Sequence, residues 1–191
     1  ARIKVLIDRI GFDKFKELVE TELKEDWAKV PIDPTPYMLN DFEKGFTSAP
    51  SADGFMDDPD PGYQAWKATN VTPQKQDGFS AAWLKIAQGD VSSSEWAALA
   101  RLSREFGNGF ARTDFDQNLV FRWVANTKLP ALYAELKKLG FADAGVHEIT
   151  DVTSCPGTDS CKLGITASMG ANRAISERIK QLDIVDPLTR Q

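Results

Sequence analysis

The chain has 191 residues, of which 42% are hydrophobic and 27% charged, which is enough for one ordinary domain with a core of its own. Its formal net charge of −5 does not indicate a nucleic-acid or membrane-surface partner. No apolar run approaches the ~20 residues that cross a bilayer, and no signal peptide is recognisable. Because the chain has only two cysteines, we expect a reducing compartment and a cytoplasmic protein, and the first residue, Ala1, suggests a processed or excised chain.

Residues 1–24 are predicted to be helical, in two segments that Gly11 separates. After Gly11, apolar residues recur at three- and four-residue spacing, which is typical of an amphipathic helix that packs on a core. Residues 25–61 indicate an irregular, acidic and proline-rich linker, solvated or disordered. The aspartates of this linker do not have the spacing of an EF-hand calcium loop.

From residue 62 onwards the sequence predicts an ordered region. A first strand is expected through Tyr63, Trp66 and Val71, and a second over residues 78–87. Ser92 and Glu95 have the spacing of a capping box, which predicts the start of a helix. The buried face of this helix is expected to contain Trp96, Leu99, Leu102 and Phe106.

A further strand is predicted over residues 117–124, with Leu119, Phe121 and Trp123 on one face. Thr127 is expected to cap the helix that follows, and Gly140 to end it. Strands and helices therefore alternate with short links, which predicts an α+β fold. Two helices are expected to cover one face of a largely antiparallel sheet, as in a ferredoxin-like half domain.

The two cysteines, Cys155 and Cys161, have five residues between them. They follow a predicted strand ending near Val152 and precede a predicted helix over residues 167–182, with Ile175, Ile179 and Leu182 inward and its end at residues 183–187. Two thiolates on such a loop can form half of a metal site, and the loop amides and the helix N-terminus favour the thiolate form.

Other interpretations of the cysteines are open at this point. They can be unrelated buried thiols, or a disulfide, although a cytosolic chain seldom keeps one. A structural zinc site needs four nitrogen or sulfur ligands, and His147 is the only histidine. Two cysteines alone also cannot complete a four-cysteine iron–sulfur site.

The residues from Cys155 to Ile165, Cys-Pro-Gly-Thr-Asp-Ser-Cys-Lys-Leu-Gly-Ile, closely resemble the first cysteine pair of the ferredoxin-type nitrite and sulfite reductases. In that family a Cys-x5-Cys pair and a later Cys-x3-Cys pair hold a 4Fe–4S cluster, and one cysteine of the later pair bridges the cluster to the iron of a siroheme. The resemblance implies that Cys155 and Cys161 bind the cluster as metal ligands. The second pair is not among these 191 residues, so the resemblance also implies that this chain is part of such a protein.

Other segments resemble the second ferredoxin-like half domain of the same family, and they occur in the family's order. These segments are Asn70-Val71, residues 89–92, Phe106-Gly107-Asn108-Gly109, Arg112-Thr113 and Gln117-Asn118-Leu119. At the entry to the strand, Asp114 and Asp116 depart from the family's pattern by adding charge.

The resemblance implies a division of the chain into four parts. Residues 1–24 would be the helical end of a preceding siroheme-binding domain, and residues 25–61 the linker. Residues 62–147 would form the ferredoxin-like half domain, and residues 148–191 the start of the 4Fe–4S and siroheme-binding domain.

The resemblance also implies an enzyme, a siroheme-dependent oxidoreductase that reduces sulfite to sulfide or nitrite to ammonia by six electrons. Its partners would be the remainder of the reductase and a one-electron donor such as ferredoxin, and these 191 residues alone are expected to be inactive. Arg112, Arg122 and Lys162 are candidates for binding anions, with ordinary surface charge as the alternative. A second hypothesis is a non-catalytic α+β binding or assembly module whose cysteines are structural, free or hold another metal.

Overall fold

A computed structural model describes residues 2–35, 46, 48–182 and 184, and the chain divides into two compact units, Ala1–Phe42 and Glu43–Gln191. The first unit contains the helices α1 (Ile3–Ile10), α2 (Phe12–Glu22) and α3 (Asp26–Lys29). The helical prediction for residues 1–24 is therefore confirmed. Neither α1 nor α2 contains a buried residue, so the predicted packing on a core is not seen for them.

In the second unit, residues 48–60 contain no helix or strand, and helix α4 (Pro61–Asn70) follows, where the sequence predicts a strand. Asp60 is the N-cap, because its side chain accepts a hydrogen bond of 2.8 Å from the amide of Tyr63, and Pro61 occupies the first turn. Tyr63 and Trp66, three residues apart, are both fully buried on one face of α4. The strand prediction was wrong for residues 62–70, because Tyr63 and Trp66 have the three-residue spacing of one helix face and Asp60 caps this helix.

The acidic end of the predicted linker is bonded to α4. Asp57 accepts hydrogen bonds from Tyr63 Oη at 2.8 Å and from Lys67 Nζ at 2.6 Å. Burial opposes ionisation of Asp57, but the hydrogen bonds, that of Lys67 foremost, outweigh it and lower the pKa of this carboxyl from 3.8 to about 2. This part of the linker therefore serves as the N-terminal support of α4 and is not a freely solvated spacer.

Four antiparallel strands form one sheet: β1 (Val71–Pro73), β2 (Phe79–Leu84), β3 (Ala111–Thr113) and β4 (Leu119–Ala125), in the order β1-β2-β4-β3. Helices α4, α5 (Ser93–Phe106) and α6 (Leu129–Leu139) contribute side chains to a single hydrophobic core with one face of this sheet. The predicted α+β fold, an antiparallel sheet with helices on one face, is confirmed.

An irregularity in β4 changes which residues face the core. Leu119 and Phe121 are buried as predicted, but Val124 and not Trp123 is the next residue of the core cluster. Trp123 has a positive φ of 62°, the register with β2 shifts here, and its amide donates a 2.6 Å hydrogen bond to Gln74 Oε1. Strict alternation along the strand was therefore the wrong assumption for Trp123.

The helix boundaries agree with the sequence in part. The capping box of Ser92 and Glu95 opens α5, but Trp96 is 45% exposed and lies outside the predicted buried face. Thr127 does not cap α6, because residues 126–128 form a 3-10 turn and Lys128 is the N-cap position. Gly140 ends α6 in the left-handed conformation at φ 80°, as predicted.

The predicted strand before the cysteines is absent, since residues 140–156 contain turns and irregular chain in the structure. A 3-10 turn (Gly157–Asp159) and helix α7 (Ser168–Gln181) follow. The buried residue of α7 is Asn172, whereas Ile175 and Leu182, predicted to face inward, are 49% and 53% exposed. The predicted helix end at residues 183–187 lies outside the described residues except for Ile184. None of the helices in the described part of the chain has the length and apolar character that a membrane span requires.

We expect the Asp57→Asn substitution to lower the free energy of unfolding by about 1 kcal/mol at neutral pH, a value reduced for partial exposure of the carboxylate. Because the folded-state pKa lies below 3.8, the stabilisation is present above pH 3.8 and disappears as the pH falls towards 2. Urea denaturation of the two proteins across this range measures it. Asp53→Asn, in the exposed part of the same segment, is the control, and a pH-independent difference would contradict the assignment.

Candidate functional site

The segment that leads to the cysteines, residues 143–154, is held by hydrogen bonds from side-chain amides and not by strand pairing. Asn70, fully buried at the end of α4, donates hydrogen bonds to the carbonyls of Asp143 at 2.9 Å and Trp83 at 3.2 Å. Its side-chain oxygen accepts a hydrogen bond of 3.1 Å from the amide of Gly145. One side chain thus bonds to both a carbonyl and an amide of the segment, as a neighbouring strand would, and also to a carbonyl of β2.

Two residues of the β3–β4 turn hold the chain immediately before Cys155. Gln117 donates to the Ser154 carbonyl at 2.7 Å and accepts from the Ser154 amide at 3.2 Å. Asn118 donates to Asp151 Oδ2 at 2.7 Å and accepts from the Ile86 amide at 2.9 Å. The chain is therefore fixed at the residue next to the first cysteine.

Helix α7 and the end of β2 complete this support. Asn172 donates to the carbonyl of Val152 at 2.6 Å, and Lys85 Nζ donates to Thr150 Oγ1 at 3.0 Å. Burial lowers the pKa of the Lys85 ammonium. The apolar pattern did not reveal the roles of Asn70, Asn172 and Lys85. The one available signal was a polar residue, Asn172, on a face where a helix normally buries apolar side chains.

The cysteine loop closes on itself through backbone contacts. The amide of Thr158 donates to the Thr166 carbonyl at 3.0 Å, and the amide of Cys161 donates to the Gly157 carbonyl at 3.0 Å. Gly157 is buried with φ +57°, and a Cβ there would overlap the Thr166 carbonyl oxygen and, at 2.7 Å, the Ser168 amide nitrogen. The loop therefore requires glycine at position 157.

Both predicted ligands lie on this loop as free, exposed thiols. Cys155 Sγ is 3.5 Å from the hydroxyl of Ser168 at the start of α7. Hydrogen bonds from this hydroxyl and from the Gly157 amide lower the pKa of the Cys155 thiol, which agrees with the expected preference for thiolate. Accessible thiols with stabilised charge fit two of the four ligands of an iron–sulfur cluster.

Two large apolar side chains closely follow the second cysteine in the sequence and are exposed. Leu163 is 84% exposed and Ile165 is 93% exposed. The loop therefore presents the two thiols together with apolar surface, whereas an ordinary surface loop is mainly polar.

Two of the three basic candidates lie on the sheet and the third lies on the cysteine loop. Arg112 in β3 and Arg122 in β4 are half-buried on the sheet face away from the helices, because Leu119 and Phe121 of β4 face the helical side. Lys162 is exposed on the cysteine loop. The sheet therefore places the two arginines on one face, whereas Lys162 belongs to a separate element.

Residues 72–139, from β1 to the end of α6, match the family model described as the nitrite/sulfite reductase ferredoxin-like half domain. The chain resembles the nitrite and sulfite reductases. The cysteine loop lies outside the matched residues, but two of the relatives can be aligned with nearly the whole chain, including this loop.

Three relatives illustrate the similarity. The chloroplastic ferredoxin–nitrite reductase of Oryza sativa subsp. japonica is 30% identical over 112 residues, which are 59% of this chain and 19% of that protein. The ferredoxin–nitrite reductase of Synechococcus elongatus is 24% identical over 188 residues, 98% of this chain and 32% of that protein. Sulfite reductase [ferredoxin] 2 of Mycolicibacterium paratuberculosis is 25% identical over an alignment of 198 positions, which covers 99% of this chain and 30% of that protein. The chain thus spans about a third or less of the length of these relatives.

We expect Ser168→Ala to raise the pKa of Cys155, because the thiolate loses the hydroxyl that contributes most to its stabilisation. In a Cys161→Ser background, alkylation of Cys155 by iodoacetamide should become slower at neutral pH, and its rate profile should move to higher pH. Ser160→Ala, an exposed serine of the same loop, is the control. An unchanged profile in Ser168→Ala would contradict the assigned contact.

We expect Gln117→Leu to release the chain next to Cys155, because it removes both hydrogen bonds to Ser154. A loss of about 1–2 kcal/mol of local stability corresponds to roughly tenfold faster hydrogen exchange of the Ser154 amide. Exchange followed by NMR measures this, with Gln76→Leu in the β1–β2 turn as the matched control. Equal exchange rates in the two variants would show that Gln117 does not hold this segment.

Proposed function

We propose that this chain provides the ferredoxin-like half domain, and half of the cluster ligands, of a siroheme-dependent nitrite or sulfite reductase. One observation carries the proposal. Two free, exposed thiols lie on a loop that comes after the residues matched by the family model and is held by side-chain hydrogen bonds. The proposed division of the chain is that of the sequence analysis, with the half domain at residues 62–147 and the start of the cluster-binding domain at residues 148–191.

In this proposal Cys155 and Cys161 bind a 4Fe–4S cluster as thiolates. The Gly157 amide and the Ser168 hydroxyl, which already stabilise negative charge on Cys155, would do the same for the anionic ligand set. A bound cluster would supply one-electron transfer, and a siroheme would supply an iron that coordinates the substrate. The part played by the chain itself is to hold the two sulfur atoms on a loop that Gln117 and Asn172 keep in place.

The other ligands and the substrate site would come from the remainder of the reductase. The exposed side chains of Leu163 and Ile165 support this, because apolar surface beside metal ligands is normally covered. Arg112 and Arg122 are the proposed contributors of positive charge towards the siroheme carboxylates or the substrate anion. Alone, these 191 residues would be inactive.

The donor and substrate are proposed from the relatives. Their names specify ferredoxin, with nitrite for some and sulfite for another. We propose ferredoxin as donor and six-electron reduction of one of these two anions. The free thiols suit a reducing compartment, and the cytoplasm is the proposed location.

Anaerobic reconstitution of this chain with iron, sulfide and a small thiol tests the ligand assignment. The small thiol supplies the two ligands that the chain lacks. We expect the broad visible absorption of an iron–sulfur cluster, with about four irons and four acid-labile sulfides per chain, or about two of each if two chains share one cluster. Cys155→Ser and Cys161→Ser should each lose most of the iron, whereas Ser160→Ala should keep it.

The outcomes separate the two hypotheses for this chain. Iron that depends on both cysteines supports the reductase assignment. If the chain binds no cluster, or if the serine variants retain as much iron as the parent, the cysteines are not ligands. A non-catalytic binding or assembly module would then be the better assignment.

A further inference from the structure

A second group of potential metal ligands lies away from the two cysteines. Among the described residues, Asp114, Asp116 and His147 bring one ligand atom each within 4.8 Å of one another. His147 Nε2 is 3.2 Å from Asp114 Oδ2 and 3.6 Å from Asp116 Oδ2. The group therefore combines an imidazole nitrogen with two carboxylates, from two separate parts of the chain.

The local structure positions two of these three ligand atoms. Asp114 Oδ1 accepts hydrogen bonds of 2.9 Å from the amides of Asp116 and Asn118, which leaves Oδ2 directed towards His147. The amide of His147 donates to Asp151 Oδ2 at 2.9 Å, and its ring packs edge-on against Trp83, with centroids 5.9 Å apart. Asp114 Oδ2 and His147 Nε2 are thus positioned by contacts that do not themselves use these two atoms.

The spacing fits a small divalent cation. Zinc binds imidazole nitrogen and carboxylate oxygen at about 2.0–2.2 Å, so neighbouring ligand atoms around a tetrahedral zinc lie about 3.3–3.5 Å apart. The separations of 3.2 Å and 3.6 Å from His147 Nε2 bracket this value, and the two carboxylate oxygens lie within 4.8 Å of each other. Asp114 and Asp116 have side chains only 13% and 32% exposed, so two carboxylates converge here with restricted access to water.

We propose that Asp114, Asp116 and His147 form a binding site for Zn²⁺ or a similar divalent transition metal, with water completing the coordination. The metal would join the β3–β4 turn to the segment that precedes Cys155. Its role would be structural, because it would add His147 as a further point at which this segment is tied to the β3–β4 turn. Without metal, the same three groups form a hydrogen-bonded ion pair when the imidazole is protonated, and this is the alternative that the experiment must exclude.

The test uses the full chain with both cysteines replaced by serine, so that thiolates cannot bind the metal. Metal-free protein is titrated with Zn²⁺ by calorimetry. In parallel, NMR follows the imidazole signals of His147, which are unambiguous because it is the only histidine. We expect saturable binding of one Zn²⁺ per chain and a shift of the His147 signals with the same stoichiometry.

Two ligand variants and one matched control complete the design. His147→Gln and Asp116→Asn should each weaken binding at least about tenfold, whereas Asp90→Asn, an exposed aspartate elsewhere, should not. Zn²⁺ should raise the melting temperature of the parent and of Asp90→Asn but not that of His147→Gln. Absence of saturable binding, or His147 signals that do not move while zinc binds, overturns the proposal. Because the cysteines are absent from this protein, the result is independent of the cluster test.

Discussion

The position of the cysteine loop depends on hydrogen bonds from side-chain amides to a segment without secondary structure. Asn70, Gln117, Asn118 and Asn172 bond to chain between residues 143 and 154. Each such bond contributes about 1 kcal/mol, and loss of a buried partner costs about 1–3 kcal/mol because a polar group is then left without a hydrogen bond. The segment is therefore ordered by side chains from α4, the β3–β4 turn and α7, and the positions of the two thiols depend on these contacts.

This arrangement explains how one small domain can carry a site that lies outside its sheet. Three elements meet at the segment: the end of α4, the β3–β4 turn and α7. Helix α4 is itself anchored by the core, as the fully buried Trp66 illustrates, and α7 is bonded to Gln88, whose side-chain amide donates to the Met169 carbonyl. A pair of metal ligands needs such second-layer support, because ligand geometry is lost when the backbone behind it moves.

The sequence predicted what periodicity and capping determine. The structure agrees with three local signals: the capping box at Ser92, the helical pattern of residues 1–24 and the glycine at position 140 that ends α6. Where tertiary contacts decide, the pattern failed. Trp123 left the core because β4 is irregular, and Ile175 is exposed because α7 packs through Asn172 and not through an apolar stripe.

The sequence reveals the candidate metal ligands, but it does not reveal the hydrogen bonds that hold the loop on which they lie. The spacing of Cys155 and Cys161 and the glycine between them are visible in the sequence, whereas a hydrogen bond such as that from Gln117 to Ser154, 37 residues apart, is not. The β3–β4 turn makes the same point more strongly. Its glutamine and asparagine hold the segment before Cys155, and its two aspartates converge on His147 in that same segment. Because this turn already fixes one end of the segment, metal ligands on it would be positioned beforehand, and the entropy lost on binding a metal would be small.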